Sequence, residues 1–162
     1  MPAVAWQRLG DHLRETQLLG SIHSTLYWDQ NTRMPRAGAS WRGEQLSLLA
    51  RLLHSRQSSL AFESLLCAAQ QELEDSSISG DFAPEEIENR RINLKLLKQD
   101  FKRQKSLDPD LISQIAKAKA QGYQLWQEAK AKNDFKLFEP ALSNLISLRK
   151  EQAKQLDEPR SC

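Results

Sequence analysis

The sequence predicts an all-α protein of about six antiparallel helices and no sheet. Three observations predict it. Apolar residues recur three and four apart through most of the chain. The good helix formers Leu, Gln, Lys, Glu and Ala dominate the long stretches. No segment alternates apolar and polar residues with the β-branched enrichment of a strand. A hydrophobic content of 40% and a charged content of 27% are globular values, and 162 residues suit one domain, expected over residues 1–156 with a frayed tail at 157–162. No repeat of solenoid length stands out.

The first helix is expected from about Ala3 to Asp29, with Leu9 and Leu13 as an early apolar stripe and Leu19, Ile22 and Leu26 as a later one. Asn31, Pro35 and Gly38 then accumulate, and Pro35 disfavours helical geometry at Met34. A second helix is expected near Ala39, with Ser40 as its N-cap and Glu44 close to its positive end. Leu46, Leu49 and Leu53 form its stripe, Leu48 and Leu52 lie beside it, and the pattern weakens at Ser55 to Ser59. A third helix, Ser59 to Asp75, turns Phe62, Leu65, Leu66, Ala69 and Leu73 inward, and Ser76 to Asp81 reads as a loop by composition. Pro84 opens a fourth helix, where Glu85, Glu86 and Glu88 suit the dipole; Ile87, Leu94, Leu97 and Phe101 carry it inward to Lys105. Asp108-Pro109-Asp110 is the cleanest helix start in the chain. That fifth helix runs to Lys132 with Leu111, Ile115, Ala118, Gly122, Leu125 and Ala129 on one face, and Gly122 marks a close approach of a neighbour. Asn133-Asp134 breaks the chain, a short turn covers Phe135 to Phe138, and a last helix runs from Glu139 to Leu156.

Charge excludes little and points nowhere: 23 basic against 21 acidic residues give +2. The basic runs at Lys95–Lys105 and Lys117–Lys132 read as solvated helix faces, and the net charge is slight, so no nucleic-acid partner is expected. There is no apolar run of about 18 residues, so no membrane span is expected. The N-terminus lacks a signal-peptide pattern, and a cytoplasmic location follows as the expectation. Cys67 lies in Leu65-Leu66-Cys67-Ala68-Ala69 and reads as a small buried apolar residue; Cys162 is terminal, and two cysteines make no disulfide framework. His12, His23 and His54 stand too far apart for a local chelate, and no His-Glu-x-x-His is present. No Gly-x-Ser-x-Gly elbow or phosphate loop occurs either.

One stretch, Leu26 to Leu46, is unlike generic helix. Trp28 and Met34 read as anchors pinning a turn to the core, and Asp29 and Arg42 as a pair across it. The spacing of Trp28, Asp29, Thr32, Met34, Pro35, Gly38, Ala39, Arg42, Gln45 and Leu46, with His54 closing the next helix, resembles the N-terminal signature of the carboxypeptidase Taq family. A second stretch is similar to a later family segment: Trp126, Ala129, Asn133, Asp134, Phe135, Phe138, Pro140, Leu142 and the Leu148-Arg149-Lys150-Glu151 region.

The resemblance implies an all-helical zinc metallopeptidase that removes C-terminal residues from peptides and is typically a homodimer. Family members hold zinc through His-Glu-x-x-His and a later Glu, and are several times longer. None of those motifs occurs here, so the resemblance implies an N-terminal helical region, inactive alone, with no catalytic residue and no zinc of its own. The alternative is a stand-alone helical interaction or self-association module.

Overall fold

The computed structural model describes residues 4–79 and 82–156; Cys162 and the expected tail at 157–162 lie outside the described residues. The helices are α1 (Val4–Thr32), α2 (Ala39–Ser58), α3 (Leu60–Ser79), α4 (Pro84–Lys105), α5 (Pro109–Lys132) and α6 (Glu139–Leu156), and no strand occurs among the described residues. Short 3₁₀ turns at Arg36–Gly38 and Phe135–Leu137 lead into α2 and α6.

The helix ends follow local chemistry. α1 continues past Asp29 to Thr32 because Pro35 constrains only the residue before it. It closes where the Arg33 and Met34 N–H groups both donate to the Asp29 carbonyl at 2.9 Å. Ser40 is not the cap of α2: the 3₁₀ turn runs straight in, the Ala39 N–H donates to Arg36, and Ser40 is already helical. Ser59 caps α3 instead, its Oγ accepting from the Phe62 N–H at 3.1 Å. The loop expected at Ser76 is also corrected: α3 carries on to Ser79, and Ser76 is buried, so packing overrides the weak helix propensity of serine. Asp108 does cap α5, accepting from the Asp110 N–H at 2.8 Å with Pro109 in the first turn. Asp108→Ala is expected to lower stability by about 1 kcal/mol; an unchanged melting temperature would show that the cap bond contributes nothing.

Contacts gather into two units. The first takes in Met1–Leu18 and Ser55–Lys105, the second Leu19–His54 and Ser106–Cys162. In the first, α3 and α4 run antiparallel, as the bridges Glu63–Lys105 (2.9 Å) and Gln70–Lys98 require. Its core is Leu9, Phe62, Leu66, Ala69, Leu73, Leu94 and Phe101. Phe62 stacks on His12 at 4.8 Å and meets the edge of Phe101 at 5.9 Å. Cys67, expected inside, is exposed, because it lies on the outer side of α3 from Leu66 and Ala69.

In the second unit α5 and α6 pack antiparallel. A Cβ on Gly122 would stand 3.2 Å from Leu145 Cδ1, so the glycine permits this close approach. α5 is buried at Leu111, Ile115, Gly122 and Ala129, and also at Ala120 on its opposite side. Ile22 is exposed rather than part of a stripe; the inward line of α1 instead follows Leu9, Thr16, His23 and Gln30, of which three are polar.

Candidate functional site

The two stretches that carry the family resemblance are both helix-to-helix turns in the second unit. At the first, Arg42 reaches from the opening of α2 to the end of α1. Its guanidinium donates to Asp29 Oδ2 at 2.6 Å, to the Leu26 carbonyl, and to Gln45 Oε1 at 3.0 Å. The fork shape of arginine lets one side chain satisfy all three. Met34 folds under the turn, with Cγ 3.4 Å from where Gly38 would carry a Cβ. Thr32 donates to the Trp28 carbonyl at 2.8 Å, Pro35 leads extended into the 3₁₀ turn, Ala39 begins α2, and Leu46 and His54 are buried on that helix. Trp28 is not an anchor: it is 60% exposed, on the side of α1 away from Gln30. Trp41 is exposed likewise.

At the second turn Asn133 takes the left-handed conformation (φ 51°, ψ 39°) that ends α5, its N–H donating back to Ala129 and Lys130. Asparagine tolerates this geometry better than most residues. Asp134 Oδ1 accepts from the Lys136 N–H at 3.0 Å and starts the 3₁₀ turn. Phe135 is exposed and meets half-buried Phe138 edge-on at 6.4 Å; Pro140 sits in the first turn of α6, where its missing donor costs no hydrogen bond. Trp126 stacks on Tyr123 at 5.8 Å with Lys130 Nζ 5.1 Å from its ring. The first turn rests on α5: Gln30 Nε2 donates to the Ala120 carbonyl at 3.2 Å and Gln124 Nε2 to the Arg36 carbonyl at 3.5 Å. Glu128, held by Lys132 and also near Arg36, titrates below the usual carboxylate range.

A cluster that the sequence did not signal lies in the first unit. Arg56 donates to Thr16 Oγ1 (3.1 Å), the His12 carbonyl (3.2 Å) and Glu15 (2.8 Å). His12 Nε2 lies 3.2 Å from the Arg56 carbonyl in return.

His23 is half-buried in the second unit; burial first, then the charge of Lys119, lowers its pKa from 6.5. A His harder to protonate when folded supports the fold fully above the unfolded pKa, and that contribution is lost as pH falls through the folded pKa. The melting temperature is therefore expected to fall on acidification below about pH 6.5, and His23→Gln to make that fall shallower; parallel melting curves for the two proteins would contradict it.

Comparison with known proteins bears on the same residues. Residues 8–161 match the model of the carboxypeptidase Taq (M32) metallopeptidases. The chain is 30% identical over 155 residues to thermostable carboxypeptidase 1 of Thermus thermophilus, covering 96% of this chain and 29% of that protein. It is 29% identical over 143 residues to thermostable carboxypeptidase 1 of Pyrococcus furiosus, covering 88% and 26%. The crystal structure of M32 carboxypeptidase from Deinococcus radiodurans shares its fold at a TM-score of 0.62, with 32% identity over 94% of this chain and 28% of that one. The crystal structure of BsuCP shares the fold at 0.84, with 20% identity over 97% of this chain and 30% of that one.

Fold and match together define a class, the helical metallopeptidases. The chain spans less than a third of the length of the relatives it matches. It belongs to the M32, or carboxypeptidase Taq, family.

The family is one of metallopeptidases. Among the described residues no three His, Cys, Asp or Glu groups come together. A guanidinium nitrogen of Arg56 lies 3.4 Å from His12 Nδ1, and Lys119 acts on His23, so an added cation would meet fixed positive charge at both.

Proposed function

We propose that this chain is the N-terminal helical region of a metallocarboxypeptidase that releases C-terminal amino acids from peptides, with the activity belonging to the complete enzyme. The observation that carries this reading is a family match over residues 8–161 combined with coverage of only 29% of a full-length relative. Zinc and the groups that activate water belong to the remainder of the enzyme, as do the peptide-binding groups. The complete enzyme works in the cytoplasm as a homodimer. In this reading the turn at Trp28 to Leu46 and the turn at Asn133 to Pro140 are structural signatures and not catalytic parts.

Two experiments test it. The coding sequence read onward in frame from Cys162 should contain His-Glu-x-x-His, and its absence would leave a chain with no enzyme to belong to. The purified 162-residue chain with added zinc should release no C-terminal residue from a blocked dipeptide or a longer peptide. Zinc-dependent release by the chain alone would overturn the assignment of catalysis elsewhere.

A second reading, a helical module that associates with itself or a partner, is favoured by one observation. Trp41, Leu48 and Leu52 lie along the side of α2 opposite buried Gly43, Leu46 and His54, and all three are exposed. Light scattering distinguishes it: a monomer across a wide concentration range counts against self-association.

A further inference from the structure

In the second unit, residues of α1, α2, α5 and α6 line an open cleft of about 190 Å³. Its floor is apolar, formed by Leu46, Ala50, Ile112 and Ile115. Its rim carries His23, Lys119, Arg149 and Gln152, and no carboxylate lines it. A shallow surface depression beside it shares Lys119 and Arg149, adds Lys150, and is again lined by no acid. Several cations of the chain, Arg42, Arg56, Arg90, Lys105 and Lys117 among them, pair with an Asp or Glu, while Lys119 and Arg149 are exposed on the surface. Among the described residues Lys119 instead stands over the Tyr27 ring, at 5.6 Å from its centroid, and Arg149 donates to the neutral Gln152 Oε1 at 2.5 Å. Positive charge without a counter-ion, set over an apolar floor, is the arrangement that recognises an anion with an apolar body.

We propose that this cleft binds a small monocarboxylate with an apolar tail, the carboxylate held by Lys119 and Arg149 and the tail laid against Leu46, Ile112 and Ile115. Liquid water takes about 30 Å³ per molecule, so the cleft has room for a small organic acid. Arginine binds a carboxylate through two parallel N–H donors and lysine adds a mobile point charge. The site stands apart from the peptidase reading and needs no metal.

His23 is the built-in reporter. The charged groups facing it are Lys119 from α5 and Arg149 from α6, while α2 presents Leu46 and Ala50. Burial and Lys119 hold its pKa down. A carboxylate bound between the cations offsets the second cause and moves that pKa up.

The test is an NMR titration of the His23 ring protons in the whole chain at low salt. The probes are 3-phenylpropionate, 3-phenylpropylamine and inorganic phosphate. The first is expected to bind near millimolar concentration and raise the His23 pKa. The amine should do neither, and phosphate, lacking a tail, should bind at least about tenfold more weakly. The double variant K119Q/R149Q should lose at least about tenfold in affinity for 3-phenylpropionate while melting within a few degrees of the parent. An absent response to 3-phenylpropionate, or one equal in the folded double variant, would overturn the site. Equal binding of phosphate would overturn the apolar tail.

Discussion

Arg42→Ala is expected to cost the chain about 3 kcal/mol of folding stability, because it removes the common partner of three groups at the α1–α2 turn. The Arg42 side chain is only 11% exposed, so water cannot fully replace it. Its loss strands the Asp29 carboxylate and the Leu26 carbonyl in a half-buried corner. Asp29→Ala should cost less, about 1 kcal/mol, since Asp29 is 37% exposed and solvent screens its charge. Arg42→Lys should fall between the two, keeping the charge and losing the fork. Urea denaturation monitored by helical circular dichroism measures all three. An Arg42→Ala loss below about 0.5 kcal/mol would place the pair among ordinary surface charges.

Leu66→Ala is expected to have an effect of similar size, about 3 kcal/mol, for a different reason. Leu66 is 1% exposed in the core of the first unit, among Phe62, Ala69, Leu73 and Phe101. Truncation removes both the transfer free energy of the side chain and the contacts around the space it leaves. Leu60 on the same helix is 73% exposed, so Leu60→Ala should stay within about 0.5 kcal/mol. Equal losses for the two leucines, measured by the same denaturation, would mean that α3 is not packed as described.

Much of the helical frame was legible because its signals are local. Asp108-Pro109 and Glu139-Pro140 announce helix starts through groups within a turn of each other, and both starts occur where expected. Gly122 likewise reveals a close approach that only a residue without a Cβ allows. The inward line of α1 was hidden for a physical reason. Thr16, His23 and Gln30 are polar, so apolar periodicity cannot see them. Thr16 is tolerated inside because its hydroxyl donates to the His12 carbonyl at 2.8 Å and it meets Arg56, a partner far away in sequence. Ser76 misled because composition suggests loops while burial decides them. Trp28 misled because large aromatic size suggests burial, whereas its place on the turn of α1 sends it outward.

At the candidate site, pairing between Asp29 and Arg42 was readable because a charge in a tight turn calls for its opposite. The meeting of His23, Lys119 and Arg149 was not, since those residues come from three separate helices and no spacing along the chain links them.

The outward-facing sulfur at Cys67 has a practical consequence. Exposed thiols of two copies can be joined by air oxidation, which produces a covalent pair without any natural interface. A doubled mass that disappears with dithiothreitol would then report storage chemistry, and only the species that persists under reducing agent bears on assembly.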